Sequence, residues 1–482
     1  MKSTNTKSLL TVIALIAAGV VTAPAQSSEL DQIKAAMQEM QKNMAEMQQK
    51  ITQLEQEKGV AAAPGTNAGP GVVFTTPTKP VIGQASPVGD RENMNDQQAA
   101  APRPGNQTLD PKYRGFFPIP NTPAIIMFNA KPRVDMREDN QNSGNADRFV
   151  TATIPMEHSA GHGGGEQFNA TAKGSSLSVD VRAPDMPGNF RFYYNNDFFG
   201  SGSGMAYRLK QLYGQIYNVT AGFTYSIFED PDVWPDTVDF EGPNSAIFAR
   251  QATVRYMVPL SDNWQLNFGV EQPSSEIDNV GANAGATGVN HLPDGGFNIR
   301  WEDSKLGHVQ FAAIFRDVGA NSTTLGEQNV FGWGLNLSTS LNVFEHDSIQ
   351  GQLTYGQGIF HFCNDNFTYS DGALEFNGGD AAFNNDGNLR ALTYFAPMAG
   401  YTHQWSDKFR STATFGYVNL QNEQAQDPIA YHETYYGSAN LMWQLRKRLS
   451  VGLECLYGYK DEKSGAHGDV WRIQTGMVYS LF

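Results

Sequence analysis

Basic side chains recur on the polar face of segments that alternate between apolar and polar residues. Arg191 lies between two phenylalanines, and Arg255 lies between a valine and a tyrosine. Guanidinium groups bind carboxylates through two parallel hydrogen bonds, so a row of them is typical of a surface that attracts small anions. The candidate anion-attracting residues are Arg133, Arg191, Arg208, Lys210, Arg255, Arg300 and Arg316.

The orientation of some of these side chains is ambiguous from alternation alone. Arg208 and Lys210 share their row with apolar Leu212, and Arg250 has the opposite parity from Arg255. A β-bulge, which inserts one extra residue into a strand, or a position near the loop would reconcile these parities with an inward orientation.

Structural ion pairs are the alternative interpretation for any single arginine. Arg133 and Arg137 bracket Asp135, and Arg182 follows Asp180 at a distance of two residues. Such pairs stiffen a protein without attracting a solute. For the whole set of basic residues, the pattern favours an anion-attracting surface.

An acidic, proline-containing segment, residues 229–244, supplies the opposite charge. Its prolines restrict the backbone, and its tryptophan can anchor it against an inner wall. The residues predicted to form a constriction are Asp230, Asp232, Trp234, Asp236, Asp239 and Glu241. Acids that face arginines across a narrow passage would orient dipolar solutes; the alternative is an ordinary solvated loop.

The elements that must position these residues are strands. Period-two alternation dominates from about residue 120 onward; residues 264–271 read WQLNFGVE, and residues 331–342 read FGWGLNLSTSLN. Many such runs have about 11 residues, the length of a tilted membrane strand, whereas strands of a soluble sandwich are shorter. Short and long connections alternate along the chain. The sequence predicts an all-β fold, an antiparallel transmembrane β-barrel of about 16 strands over residues 120–482.

Three segments precede the predicted barrel. Residues 1–25 have the charged start, apolar run and small-residue cleavage site of a signal peptide. Residues 28–58 predict a coiled-coil oligomerisation stalk, and residues 59–119 a linker rich in Pro, Ala and Gly. The heptad positions are Leu30, Ile33, Met37, Met40, Met44, Met47, Ile51 and Leu54. We expect the stalk in the periplasm, where it could contact the cell wall.

Composition excludes several other functions. The formal net charge of −15 disfavours a nucleic-acid partner. The chain has two cysteines, Cys363 and Cys455, which we expect to be separate free thiols. Neither a metal nor a cofactor is expected, because no histidine or carboxylate group has a recognised ligand spacing.

One region resembles the DcaP-like porin family. The matching residues are Thr224-Tyr225-Ser226, Phe228, Asp230-Pro231, Asp239-Phe240-Glu241-Gly242-Pro243, Arg250-Gln251, Val254-Arg255-Tyr256 and Pro259-Leu260-Ser261-Asp262. The resemblance implies a homotrimer of 16-stranded barrels in the outer membrane of a Gram-negative bacterium, in contact with its lipid. It also implies passage of small anionic solutes, dicarboxylates among them. Tyr225 and Lys210 stand where the resemblance leads us to expect Trp and Arg.

The leading hypothesis is a passive outer-membrane channel that prefers small anions and is not an enzyme. One alternative is an adhesin or cell-wall tether that uses the stalk. The other is a barrel hydrolase, which needs a serine or aspartate beside a histidine at the rim. The 9 histidines lie mostly in predicted loops, and no such grouping stands out.

Overall fold

The computed structural model describes residue 42 and residues 115–481, with gaps at 160, 184–185, 202–203, 279–282, 284, 345 and 367–377. The predicted signal peptide, nearly all of the predicted coiled coil and most of the linker lie outside the described residues. From residue 115 onward the regular structure is β-strand, with one-turn 3-10 helices at Thr151–Thr153, Pro231–Val233 and Phe360–Phe362. None of the described helices has the length and apolar character needed to cross a membrane.

The described chain contains 22 strands. In chain order they are β1 (Phe117–Pro118), β2 (Ile125–Lys131), β3 (Arg133–Asp139), β4 (Gln167–Thr171), β5 (Ser176–Ala183), β6 (Phe190–Asp197), β7 (Arg208–Ile216), β8 (Val219–Tyr225), β9 (Arg250–Pro259), β10 (Trp264–Glu271), β11 (Thr287–Val289), β12 (Asp294–Asp303), β13 (Gly307–Ser322), β14 (Gly326–Val343), β15 (Asp347–Gln357), β16 (Ala381–Phe383), β17 (Leu389–Ala391), β18 (Thr393–Gln404), β19 (Phe409–Leu420), β20 (Tyr431–Arg446), β21 (Leu449–Glu462) and β22 (His467–Tyr479).

Antiparallel pairing closes these strands into a ring. From β5 to β10, and onward through β12 to β15 and β18 to β22, each strand pairs with the next. β22 returns to β3, where Val478 lies opposite Arg133, and β2 pairs with β5. Closure gives every backbone group of the ring a partner and removes the exposed sheet edges.

The structure has 22 strand segments, which is more than the expected count of about 16 strands. Two strands of the ring are each broken in two. Pro132, which has no N–H to donate, separates β2 from β3, and residues 172–175 separate β4 from β5. The short strands β1, β11, β16 and β17 add to the ring or its loops without extending the closed circuit.

The two faces of the ring follow the predicted alternation. Phe311 and Leu337 point outward and are exposed, whereas their neighbours Gln310 and Ser338 point inward and are buried. This arrangement, apolar outside and polar inside, is that of a barrel in lipid. Cys363 lies inside and Cys455 outside, and both are free thiols, as predicted.

The wall has unequal height around the ring. Strands β5 to β10, here called the low wall, have 8, 8, 9, 7, 10 and 8 residues. Elsewhere in the ring β13, β14 and β20 have 16, 18 and 16 residues.

A dry core fills part of the interior beside the longer strands. Ile314 on β13 and Val418 on β19 point inward and pack with Phe228, Phe360 and other apolar residues of the folded-in loops. Close packing of this kind excludes water. Charged side chains of the interior lie outside this apolar cluster, and many of them line the low wall or belong to the acidic segment.

Candidate functional site

The acidic segment, residues 229–244, connects β8 to β9 and folds into the ring. Asp230 is completely buried. Its carboxylate accepts a hydrogen bond of 2.6 Å from the Ser338 hydroxyl and lies 2.8 Å from Nε2 of His308. Arg300 contacts the same carboxylate at 3.1 Å. These partners belong to β12, β13 and β14, so the segment begins against that side of the inner wall.

The segment then crosses the interior. Asp236 accepts a hydrogen bond of 2.6 Å from Nε of Arg410 on β19. The backbone N–H of Asp239 donates to Glu454 on β21 at 2.6 Å, and Arg133 on β3 donates to the Val238 carbonyl. Contacts from β14 to β3 show that this segment spans the lumen. The solvated-loop alternative is wrong.

Local sequence explains the start of the crossing. Asp230 caps the one-turn helix Pro231–Val233 by accepting from the Asp232 N–H at 3.1 Å, and the proline fixes the first helical position. Trp234 follows, buried to 4% exposure, and its ring packs 5.3 Å from that of Phe248. Trp234 thus anchors the segment inside the ring, as its sequence position predicted.

The acids do not face the arginines across a gap, and that expectation was wrong. Asp232 lies 2.6 Å from Arg300, and Glu241 lies 2.9 Å from Arg148. Burial explains the difference, because a charge removed from water is stable only beside a partner. These ion pairs attach the segment to β12 and to the connection between β3 and β4.

One end of the low wall carries two arginines on a single carboxylate. Arg182 and Arg191 lie opposite each other on β5 and β6, and both contact Asp180, at 2.8 and 2.9 Å. All three side chains are buried and lie next to the short turn between β5 and β6. We call this group the turn-side cluster.

The other end of the low wall carries three cations around one carboxylate, Asp197. Arg208 contacts Asp197 at 2.6 Å, while Lys210 Nζ lies 5.5 Å from the centre of the Phe240 ring. Arg250 lies over the Phe248 ring at 4.7 Å, and its Nη1 atom is buried without a hydrogen-bond partner among the described residues. We call this group the loop-side cluster.

A bulge settles the orientation of Arg208 and Lys210. The pairing of β6 with β7 shifts by one residue at Asn195 and Asn196. After the shift Gln211 and Tyr213 are the buried, inward residues, whereas before it Arg208 and Lys210 point inward. The extra residue therefore brings both cations to the lumen.

Each of the remaining predicted cations lies beside at least one carboxylate. Arg300 contacts Asp230, Asp232 and Glu302. Arg316 contacts Asp294 and Asp380, both at 2.9 Å. Arg133 contacts Asp135 at 2.8 Å, and Arg255 lies 3.9 Å from Glu271. For these four residues the ion-pair alternative describes the geometry.

Sequence reasoning missed two inward arginines. Arg410 binds Asp236, and Arg472 contacts Asp139 at 2.6 Å. The alternation of residue types could have identified Arg472 as an inward residue, because it lies between outward Trp471 and Ile473.

In the part of the chain that the structure describes, no group of three His, Cys, Asp or Glu residues is placed to hold a metal ion.

The buried acids of the segment differ in protonation. Burial raises the pKa of Glu229 well above its usual range, and burial raises the pKa of Asp239 to about 6. Burial also opposes ionisation of Asp230, but His308 and Arg300 outweigh it and lower the pKa of Asp230. Asp230 therefore stays charged at neutral pH, whereas Asp239 can gain a proton near neutral pH.

The model of the DcaP outer membrane protein family matches residues 105–481. The chain belongs to the DcaP outer membrane protein family. This assignment places the DcaP-family barrel in the bacterial outer membrane, among porin-type channels and not among known enzymes.

The fold of this DcaP-family barrel agrees with that of a solved channel structure. The outer membrane channel DcaP of Acinetobacter baumannii is 19% identical, with a TM-score of 0.65, over 74% of this chain and 97% of that one. An anion-selective porin from Comamonas acidovorans is 10% identical, with a TM-score of 0.47, over 74% of this chain and 100% of the other. No curated protein sequence matches the chain significantly.

Proposed function

We propose that this DcaP-family protein is a passive channel that prefers small anions, dicarboxylates among them. The observation that carries the proposal is the excess of cations along the low wall. In the loop-side cluster Arg208, Lys210 and Arg250 surround the single carboxylate Asp197, and among the described residues neither Lys210 nor Arg250 forms an ion pair. Two arginines likewise share Asp180 in the turn-side cluster.

Local charge, and not the net charge of −15, is what a passing ion meets. A narrow, low-dielectric passage concentrates the field of nearby side chains, and charged rings at a constriction select the sign of the ion. Arg300 and Arg316 contribute little to this field, because three and two carboxylates contact them. Anions are therefore expected to follow the low wall.

The wall also supports a homotrimer. A strand of 7 or 8 residues, as in β8 and β6, is shorter than the roughly 9–11 residues that span a bilayer at the usual tilt. Contact with another copy would cover the low wall where lipid fits poorly. The predicted coiled coil would add an association surface in the periplasm. Mass measurement in mild detergent tests this assembly, and a monomer with its stalk intact would contradict it.

The proposed function is tested by solute uptake into liposomes that contain the purified protein. We expect a small dicarboxylate such as succinate to enter faster than an uncharged sugar of similar size. The double variant Lys210→Gln/Arg250→Gln should reduce that preference several-fold, because it removes the two cations without a carboxylate partner.

A matched control removes the charge of an exposed side chain that does not belong to the low wall. Arg390 is exposed on β17, so Arg390→Gln should leave the preference unchanged. Equal uptake of dicarboxylate and sugar by the unmodified protein would refute the proposed function. An unchanged preference in the double variant would move selectivity to other residues.

A further inference from the structure

Four aromatic side chains lie between the two cationic clusters of the low wall. Tyr193 and Tyr213 are opposite each other on β6 and β7, with ring centres 5.7 Å apart. Together with Tyr225 they form one buried group, and Phe248 packs against it. Only Phe248 of the four is partly exposed. We call these residues the aromatic layer.

The layer has a cation on each side. Cζ of Arg191, in the turn-side cluster, lies 5.0 Å from the Tyr193 ring centre and 5.5 Å from that of Tyr213. Cζ of Arg250, in the loop-side cluster, lies 4.7 Å from the Phe248 ring centre. Arg191 and Asp197 lie near opposite ends of β6, roughly 20 Å apart at about 3.3 Å per residue. The layer therefore occupies the space that an anion must cross between clusters.

Backbone geometry builds the layer into the wall. Gly222 lies opposite Tyr213 with φ of +139°, and a Cβ there would come within 2.6 Å of the Tyr213 Cα. Only a residue without a side chain fits this position. Because Gly222 has no side chain, the tyrosine rings occupy the inner face of the wall at this position.

Phe248 joins the layer to the acidic segment. Its ring also packs edge-on against Trp234, and its N–H donates to the Phe362 carbonyl at 2.8 Å. A solute that moves along the low wall would meet the partly exposed ring of Phe248, behind which the three tyrosine rings are buried. An apolar constriction of this kind opposes hydrated ions, because they lose water without gaining partners.

We propose that Phe248, with Tyr193, Tyr213 and Tyr225, forms an aromatic barrier that limits the rate of anion passage between the two cationic clusters. The proposal rests on the proposed function and assigns different roles to the cationic clusters and to the aromatic layer. The clusters determine the sign of the ion, and the aromatic layer determines how fast it crosses. The acidic segment then acts mainly as the support that holds Phe248 in place.

Single-channel recording in potassium chloride tests this barrier. Phe248→Ala should raise chloride conductance about twofold or more and keep the same anion preference, because the cations are unchanged. Phe228→Ala is the matched control. Phe228 belongs to the same connection but packs in the dry core, 5.5 Å from Phe362. Its replacement should leave conductance unchanged.

A second variant covers the case in which Phe248→Ala does not fold, which heat-modifiable migration on a gel would reveal. Phe248→Trp enlarges the ring at the same place and should lower conductance. Unchanged conductance in a folded variant overturns the barrier while the proposed function stands. A reversed ion preference in Phe248→Ala also overturns it, because the layer and not the clusters would then select the sign. An unmodified protein that does not conduct defeats the proposed function itself.

Discussion

Arg300 shows why a buried cation in this lumen is not automatically a binding group. Its guanidinium contacts Asp230, Asp232 and Glu302, two of which belong to the acidic segment. The residue therefore attaches the segment to β12. Lys210 and Arg250 have the opposite character, since neither has an ion-pair partner among the described residues.

Removing the Arg300 charge should destabilise the barrel. Arg300→Gln leaves buried carboxylates without their main cation, which typically costs about 3–5 kcal/mol. Unfolding in urea, followed by tryptophan fluorescence, measures the loss. Exposed Arg390→Gln is the control and should change stability by less than about 0.5 kcal/mol. Equal stability of both variants would show that Arg300 does not hold the segment.

Asp239 should make stability depend on pH. Its pKa is raised by burial from the ordinary 3.8 to about 6, so the folded protein binds the proton more tightly than the unfolded chain. Its contribution is therefore fully present below about pH 4 and is lost as the pH rises through about 6. The loss is at most roughly 3 kcal/mol.

Asp239→Asn removes that titration and keeps a neutral side chain of similar size. Thermal unfolding between pH 4 and pH 8 should then show a smaller fall in stability for the variant than for the unmodified protein. Parallel curves for the two proteins would mean that Asp239 is already ionised, or already neutral, across the whole range.

At the scale of elements, alternation was sufficient to predict the strands and their faces. Period two identifies residues 264–271 and 331–342 as strands, and the structure has β10 and β14 there. Alternation did not reveal the breaks between β2 and β3 and between β4 and β5. It also left the orientation of Lys210 open, because a bulge depends on pairing with β6, which lies outside the local pattern.

The acidic segment is the element whose contacts could be predicted least completely from the sequence. Its prolines and Trp234 predicted a folded-in loop, but its ion-pair partners lie on strands distant in sequence, such as Arg410 on β19. Only the closed ring brings these groups together. Non-local pairing of this kind cannot be read from residue spacing.

Deletion of Asp232 to Asp239 tests this element. We expect higher conductance and passage of larger solutes, because the chain that crosses the lumen is removed while the wall strands keep their partners. Carboxylates should then discriminate less among themselves. Deleting Gly163 to Gly165, in an exposed loop with open space beside Gly163 and Gly165, is the control. Unchanged conductance in the folded deletion variant would place the constriction elsewhere.

At the scale of the whole molecule, the interior of the ring has an apolar part and a charged part. A dry core lies beside the longer strands, whereas two cation-rich clusters line the low wall. The division reconciles an acidic protein with a cationic passage, since most acids are paired with arginines or lie outside the low wall.

The reversal potential of the unmodified channel in a potassium chloride gradient tests this account most directly. We predict a sign that shows chloride passing more readily than potassium, because the cations of the low wall outnumber their carboxylates. Lys210→Gln/Arg250→Gln should shift the potential toward cation preference, while Arg390→Gln should not. A channel that prefers potassium before any substitution would contradict the anion-preferring function.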